Sequence, residues 1–321
     1  MKTRAISLSA AFLILLTGTR AVSFGTALFV SGQGRRAIKG SAAPQSAVNS
    51  IPHPVMFREV PGRGLLVTAW INSMGPFTFA IDTGAGATLL SPRVAEEAQV
   101  SIKTGRGPSI AGLSGAVVSA RDASIQSLAI GDRENYLPTK GEVIVTGGLP
   151  RDLDGLLDPT DAFAPLGYVI DLPRHELSAF DPHRLPLRID VQPDEGTVVQ
   201  WLRERNSHRP FVMLDTGERA LLDTGSSLGL ALRDFGGSDS RAAGYAVHDV
   251  GGSISARRVA PRTIAIGSLT LRKIPTDAVS GAAADTPVLL GLSALRPFRL
   301  RFDPVHRLIE IAPDASNFYR R

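Results

Sequence analysis

The sequence predicts an all-β protein, mainly strands with short helices, folded as two pseudo-symmetric lobes. Three observations lead there. Apolar residues fall in short runs or alternate with period two, as Phe77, Phe79 and Ile81 do, which suits half-buried strands. Gly, Pro, Asn and Asp break the chain at close intervals, as turns between strands require. And the chain repeats itself, so that whatever the first half builds the second half builds again.

The repeat centres on Phe79-Ala80-Ile81-Asp82-Thr83-Gly84-Ala85 and Ala220-Leu221-Leu222-Asp223-Thr224-Gly225-Ser226. In both, an apolar run delivers one carboxylate into a Thr-Gly turn. Asp-Thr-Gly alone would turn up by chance about once in several thousand positions. The similarity extends well beyond it. A Gly-containing turn follows 30 residues after Asp82, at Gly112, and 28 after Asp223, at Gly251. Ala129-Ile130-Gly131 then matches Ala265-Ile266-Gly267, and Ile170-Asp171 matches Phe302-Asp303. Each of these last pairs enters a short turn and a further strand, near Leu177 and Leu308. Four landmarks in one order indicate an internal duplication.

Taken in chain order, Lys2 and Arg4 precede an uncharged stretch from Ala5 to Thr19, too short to span a bilayer comfortably. Residues 1–30 read as a signal peptide or an N-terminal anchor, so the protein is expected to be exported, periplasmic or secreted, or membrane-anchored by that segment. Residues 31–56 are polar and small and read as a flexible linker. A first lobe is expected at 57–185 and a second at 186–321. Leu65–Ile71 and Phe77–Ile81 should flank a turn at Asn72–Gly75. Ser91-Pro92 is a helix start, with Ser as N-cap and Pro in the first turn, and the helix should reach about Val100. Val117–Ile130 and Arg258–Ile266 read as long hairpin arms. Asp181–Pro193, punctuated by prolines, reads as the crossing between lobes. Phe298–Phe302 alternates again, with Arg299 and Arg301 facing water.

Composition narrows the chemistry. The 321 residues are 43% hydrophobic and 20% charged, enough apolar content for two modest cores. Without cysteine there is no disulfide, thiolate catalysis or thiolate-bound metal. The net charge of +5 comes from arginines scattered along the chain, which describes a solvated surface and not a nucleic-acid site. The six histidines are scattered too, and no His-Glu-x-x-His occurs. No metal or cofactor is expected.

Two carboxyls within hydrogen-bonding distance cannot both ionise cheaply, so one proton is shared and the pair titrates as a unit. The ionised member takes a proton from water while the protonated member polarises a carbonyl. Thr can hydrogen-bond across to the opposite loop, and Gly lets the turns pass closely.

On these residues the chain resembles the aspartic proteases of the retropepsin-like and pepsin-like fold. Val288-Leu289-Leu290-Gly291 adds to the likeness, resembling that family's apolar-apolar-Gly element. The resemblance covers about residues 57 to 312 and looks like two retropepsin-sized units in one chain. It implies two closed-barrel lobes with the active site in the cleft between them. Asp82 and Asp223 become the catalytic dyad of an aspartic endopeptidase, with Thr83, Gly84, Thr224 and Gly225 supporting the loops. It also implies flaps at Gly112, Ser114, Gly115, Gly251 and Gly252, closing over a peptide or protein substrate in a monomer. Three departures accompany it. Gly155-Leu156-Leu157-Asp158 has Asp where the family has Gly, placing a third carboxylate either near the dyad or out in solvent. Neither flap carries the family's Tyr. Gly86 stands where retroviral enzymes carry a substrate-binding Asp.

Three further readings compete. Asp215-Thr216-Gly217 lies eight residues before Asp223, at the place of the Asn72–Gly75 turn, and is expected to be only a hairpin connection. Gly225-Ser226-Ser227-Leu228-Gly229 fits a serine-hydrolase elbow, with Asp303 and His306 downstream, but that motif needs a strand–turn–helix. An exported peptide-binding or inhibitory protein with an inactive aspartic-protease fold is the alternative from another class.

Overall fold

The computed structural model describes residues 15–17 and 51–313, apart from 106, 205–206, 235–243, 251 and 283–285. It is mainly β, with three short helices among the described residues: α1 (Pro92–Glu97), α2 (Pro159–Phe163) and α3 (Leu292–Leu295). Most of the leader and linker lies outside the described residues. Two parts do not: Leu15–Thr17 pairs antiparallel with Ser109–Ala111, and Val55–Met56, at the end of the expected linker, pairs with Glu176–Leu177 and buries Val55.

Two larger sheets share one strand order. In the first, Val117–Ser124, Glu142–Thr146, Leu89–Leu90, Gly155–Leu157, Met74–Ile81 and Gly64–Ile71 lie side by side. In the second, Gly252–Ile266, Leu269–Ser280, Leu230–Arg233, Val288–Gly291, Arg219–Asp223 and Ser207–Met213 do the same. The directions also agree. The strand carrying each Asp-Thr-Gly pairs antiparallel on one side and parallel on the other, with Leu156 opposite Ala80 and Leu289 opposite Leu221. Strands covered on both faces need apolar residues at successive positions, and Phe79, Ala80, Ile81, Leu221 and Leu222 are all buried.

A third, six-stranded sheet draws on both halves. Its order is Thr197–Gln200, Leu308–Pro313, Phe298–Asp303, Gly167–Asp171, Glu176–Phe180 and Val55–Met56. Tyr168 lies opposite Phe302 across the junction, their rings stacked at 4.6 Å, and Trp201 meets Phe302 edge-on at 5.9 Å. The two turns of this sheet are alike: Asp171 Oδ1 accepts from the Arg174 amide (3.0 Å) and Asp303 Oδ1 from the His306 amide (2.8 Å). Four residues after each Asp, His175 and Arg307 take positive φ (55° and 58°).

Several expectations shift in detail. Ser91 caps α1 through Oγ, accepting from Val94 N at 3.3 Å, but the helix ends at Glu97 rather than Val100. The arm expected over Val117–Ile130 is two strands, Val117–Ser124 and Leu128–Ile130. The Gly141 carbonyl takes the Ile125 amide and Asn72 Oδ1 takes those of Gln126 and Ser127, diverting the chain. Phe298, Leu300 and Phe302 are buried as expected; Arg299 is exposed, whereas Arg301 folds over the Phe180 ring at 4.1 Å.

Candidate active site

The strands Met74–Ile81 and Arg219–Asp223 bring their Asp-Thr-Gly turns against each other. Thr83 Oγ1 donates to Leu222 O (2.7 Å) and accepts from Thr224 N (3.1 Å). Thr224 Oγ1 reciprocates, donating to Ile81 O (3.1 Å) and accepting from Thr83 N (3.1 Å). Every group in this buried square has a partner, so the loops are fixed relative to each other.

The glycines allow the approach. A Cβ on Gly84 would lie 2.8 Å from Asp223 Cγ, and one on Gly225 would lie 2.4 Å from Asp82 Cγ. Each loop thus runs directly past the opposite carboxyl.

Both carboxyls are fully buried. Asp82 Oδ1 accepts from Gly84 N (2.8 Å), while Asp223 Oδ1 accepts from two amides, Gly225 N (2.9 Å) and Ser226 N (3.1 Å). Neither Oδ2 meets a donor among the described groups. Burial raises Asp82 well above the usual carboxylate range, and the Asp223 charge and, more weakly, Asp158 add to it. Burial also pushes Asp223 up, to about 7, against the lowering effect of its amide donors and of Asp82. With two amides against one, Asp223 is the better seat for the negative charge and Asp82 for the proton.

Asp158 does not reach solvent. Its place is fixed by Asp82 N donating to Leu157 O (2.9 Å) and by its own amide donating to Thr88 Oγ1 (3.2 Å). It stands where the second half has Gly291, since Leu157 lies opposite Ile81 and Leu290 opposite Leu222. Its side chain is the N-cap of α2, with Oδ1 accepting from Thr160 N at 2.9 Å. Burial, and then the neighbouring Asp161 charge, raise it well above the usual range. A helix cap that is also a buried acid was invisible in a motif read only for its missing glycine.

The hairpin residues meet as well. Gly112, Ser114 and Gly115 form the tip between Ser109–Ala111 and Val117–Ser124, and Gly252 begins the long strand of the second hairpin. Gly251 lies outside the described residues. Asp249 and Val250, which sequence reasoning passed over, complete the contact between tips. Beside the second loop a cavity of about 350 Å³ is lined by residues that include Ser227, Leu228, Tyr245, Arg258 and Arg296.

The remaining motifs fall elsewhere. Asp215-Thr216-Gly217 is an exposed turn, with Gly217 at φ 81° and Asp215 Oδ1 accepting from Ala265 N (2.9 Å). Ser226 is fully buried, its Oγ accepting from Leu228 N, and the chain continues into a strand rather than a helix. His306 pairs with Asp303 in its own turn, Nδ1 to Oδ2 at 2.9 Å.

Residues 67–157 match the family model described as aspartyl protease, and the match supports an aspartyl protease family and a protease hydrolase. It includes Asp82 and stops before Asp223. No curated protein matches the chain.

Proposed function

We propose that the chain is an aspartic endopeptidase that cleaves peptide bonds with water activated by Asp82 and Asp223. The observation that carries this reading is the cross-bonded pair of Asp-Thr-Gly turns, which holds two buried carboxyls beside each other with one free oxygen apiece. Asp223, ionised, takes a proton from water as the oxygen attacks the scissile carbonyl carbon. Asp82, protonated, gives its hydrogen to the carbonyl oxygen, and a neutral gem-diol results. As the diol collapses, the C–N bond breaks, the amine nitrogen takes the proton held by Asp223, and a diol hydroxyl returns one to Asp82. No covalent enzyme intermediate forms.

The same reading makes the two similar sheets the cores of two duplicated, retropepsin-like lobes, about 57–185 and 186–321, in a single-chain monomer. The common strand order and the paired Asp171 and Asp303 turns support it. The peptide would lie between the dyad and the hairpin tips, with one side chain toward the cavity at Ser227 and Leu228. An exported location follows from the basic, then apolar N-terminus and belongs to the same proposal.

The test is cleavage of a mixed peptide library by purified protein from pH 3 to pH 8. Asp82→Asn and Asp223→Asn should each abolish cleavage, and Asp215→Asn should leave it intact. Activity surviving either of the first two removes the dyad. Inert wild-type protein points instead to a peptide-binding module.

A further inference from the structure

Asp82 and Asp223 are fully buried, and beyond their loops the hairpin tips of the two halves meet in an asymmetric contact. Asp249, at the end of Tyr245–Asp249, is only 8% exposed although it carries a carboxyl. Its Oδ2 accepts from Ser114 N (2.5 Å) and its Oδ1 from Ser114 Oγ (3.0 Å), and Ser114 Oγ in turn accepts from Ala116 N (3.2 Å). The fit leaves no slack. A Cβ on Gly112 would sit 2.3 Å from Asp249 Cγ, and one on Gly252 would sit 2.4 Å from Ser114 Oγ. The first tip supplies the donors, and the second supplies the acid.

The apolar neighbours are exchanged as well. Leu113, from the first tip, is buried in the second half's cluster with Phe211, Leu228, Val247 and Ile254. Val250, from the second tip, is buried in the first half's cluster with Ala85, Ile110, Ala120 and Leu156. Ala85 and Leu228 lie within a few residues of Asp82 and Asp223, so each tip is anchored beside the opposite carboxyl loop. A substrate reaching the dyad has to part these tips, withdrawing both side chains and breaking both bonds to Asp249.

We infer that Asp249 is a positioning residue that latches the first tip through Ser114 and thereby gates access of a peptide to the dyad. The gating half of this inference rests on the endopeptidase reading; the latch itself does not. Burial raises the Asp249 carboxyl from its ordinary range, opposed first by the amide and hydroxyl of Ser114 and then by the amides of Gly252 and of Asp249 itself. A group kept dry at that cost has to return to water when the tips part. Loss of the Ser114 hydroxyl would leave a buried acid short of a donor, and loss of Asp249 would leave the Ser114 amide and hydroxyl without their acceptor.

Hydrogen exchange of full-length protein at residues 111–116 reads the latch without any catalysis. Asp249→Ala and Ser114→Ala should each raise exchange there about tenfold or more, with the exchange at Ile81 and Leu222 unchanged. Asp249→Asn keeps an acceptor for the Ser114 amide and should retain most of the protection. Because the chain has no cysteine, Ser114→Cys with Asp249→Cys places a lone thiol pair at the latch. That pair should oxidise to a disulfide, block cleavage of the peptide library, and recover on reduction. Unchanged exchange in both alanine variants overturns the latch, and so does a thiol pair that fails to oxidise. Full activity in the oxidised form overturns the gating. If no form of the protein cleaves peptide, the endopeptidase reading falls and exchange alone decides the latch.

Discussion

Thr83 and Thr224 hold each other by the same two bonds in opposite directions, each hydroxyl taking the other's amide and giving its hydrogen to the carbonyl preceding the other Asp. Thr83→Val, close in shape, would orphan the Thr224 amide and the Leu222 carbonyl together. Two unpaired buried groups cost about 2–4 kcal/mol. Thr83→Ser keeps the hydroxyl and should lose less than about 1 kcal/mol. Urea unfolding of the three proteins measures this, and equal midpoints for Val and Ser would remove the hydroxyl from the account.

The two buried carboxyls should also make stability fall as pH rises. Both carboxyls are raised in the folded protein, Asp223 to about 7, while in the unfolded chain they titrate near 4. Between about pH 4 and pH 7 the folded state therefore holds a proton that the unfolded state has lost, and stability is lost across that window. Asp82→Asn keeps an acceptor for Gly84 N and removes the carboxyl that has to take up a proton on folding. At pH 7.5 the variant should be more stable than wild type, and its stability should fall less steeply between about pH 4 and pH 7. A variant that is less stable at pH 7.5, with an unchanged pH slope, would mean that the carboxyls are not coupled.

Asp158 tests the third carboxylate. Asp158→Asn retains the cap on α2, so stability should change by less than about 1 kcal/mol. It also removes a charge that helps to raise Asp82. The pH profile of peptide cleavage should move to the acid side. Superimposed profiles would show that the α2 amides already neutralise Asp158.

Gly225 and Gly217 both follow an Asp-Thr, and only one of them is crowded. A Cβ at Gly225 lands 2.4 Å from Asp82 Cγ, whereas one at Gly217 meets nothing within 4 Å. Gly225→Ala has to push the carboxyls apart and should lower kcat about 100-fold or more, with an overpacking cost of about 1–3 kcal/mol. Gly217→Ala, strained only by its φ of 81°, should cost about 1 kcal/mol and leave cleavage alone. Comparable activity in the two variants would contradict the facing geometry.

Local chemistry made much of this legible. The apolar runs into Asp82 and Asp223, the Ser91 cap and the alternation at Phe298–Phe302 each depend on neighbours within a few positions. What escaped depends on partners far along the chain. Val117–Ile130 looks continuous until Asn72 and Gly141 take its middle amides. Asp158 reads as a lost glycine until α2 turns over it. Asp249 shows no motif at all, because the residue that explains it, Ser114, is 135 positions away.

The six-stranded sheet carries a consequence for assembly. Gly167–Asp171 has its neighbour Phe298–Asp303 in the other half, and Tyr168 stacks on Phe302, which Trp201 meets edge-on. Cut between Asp181 and Pro193, neither fragment would own a whole floor, and each would expose an unpaired β edge. The two pieces would therefore mature only as mates, and any break in that stretch would leave a nicked but undivided particle.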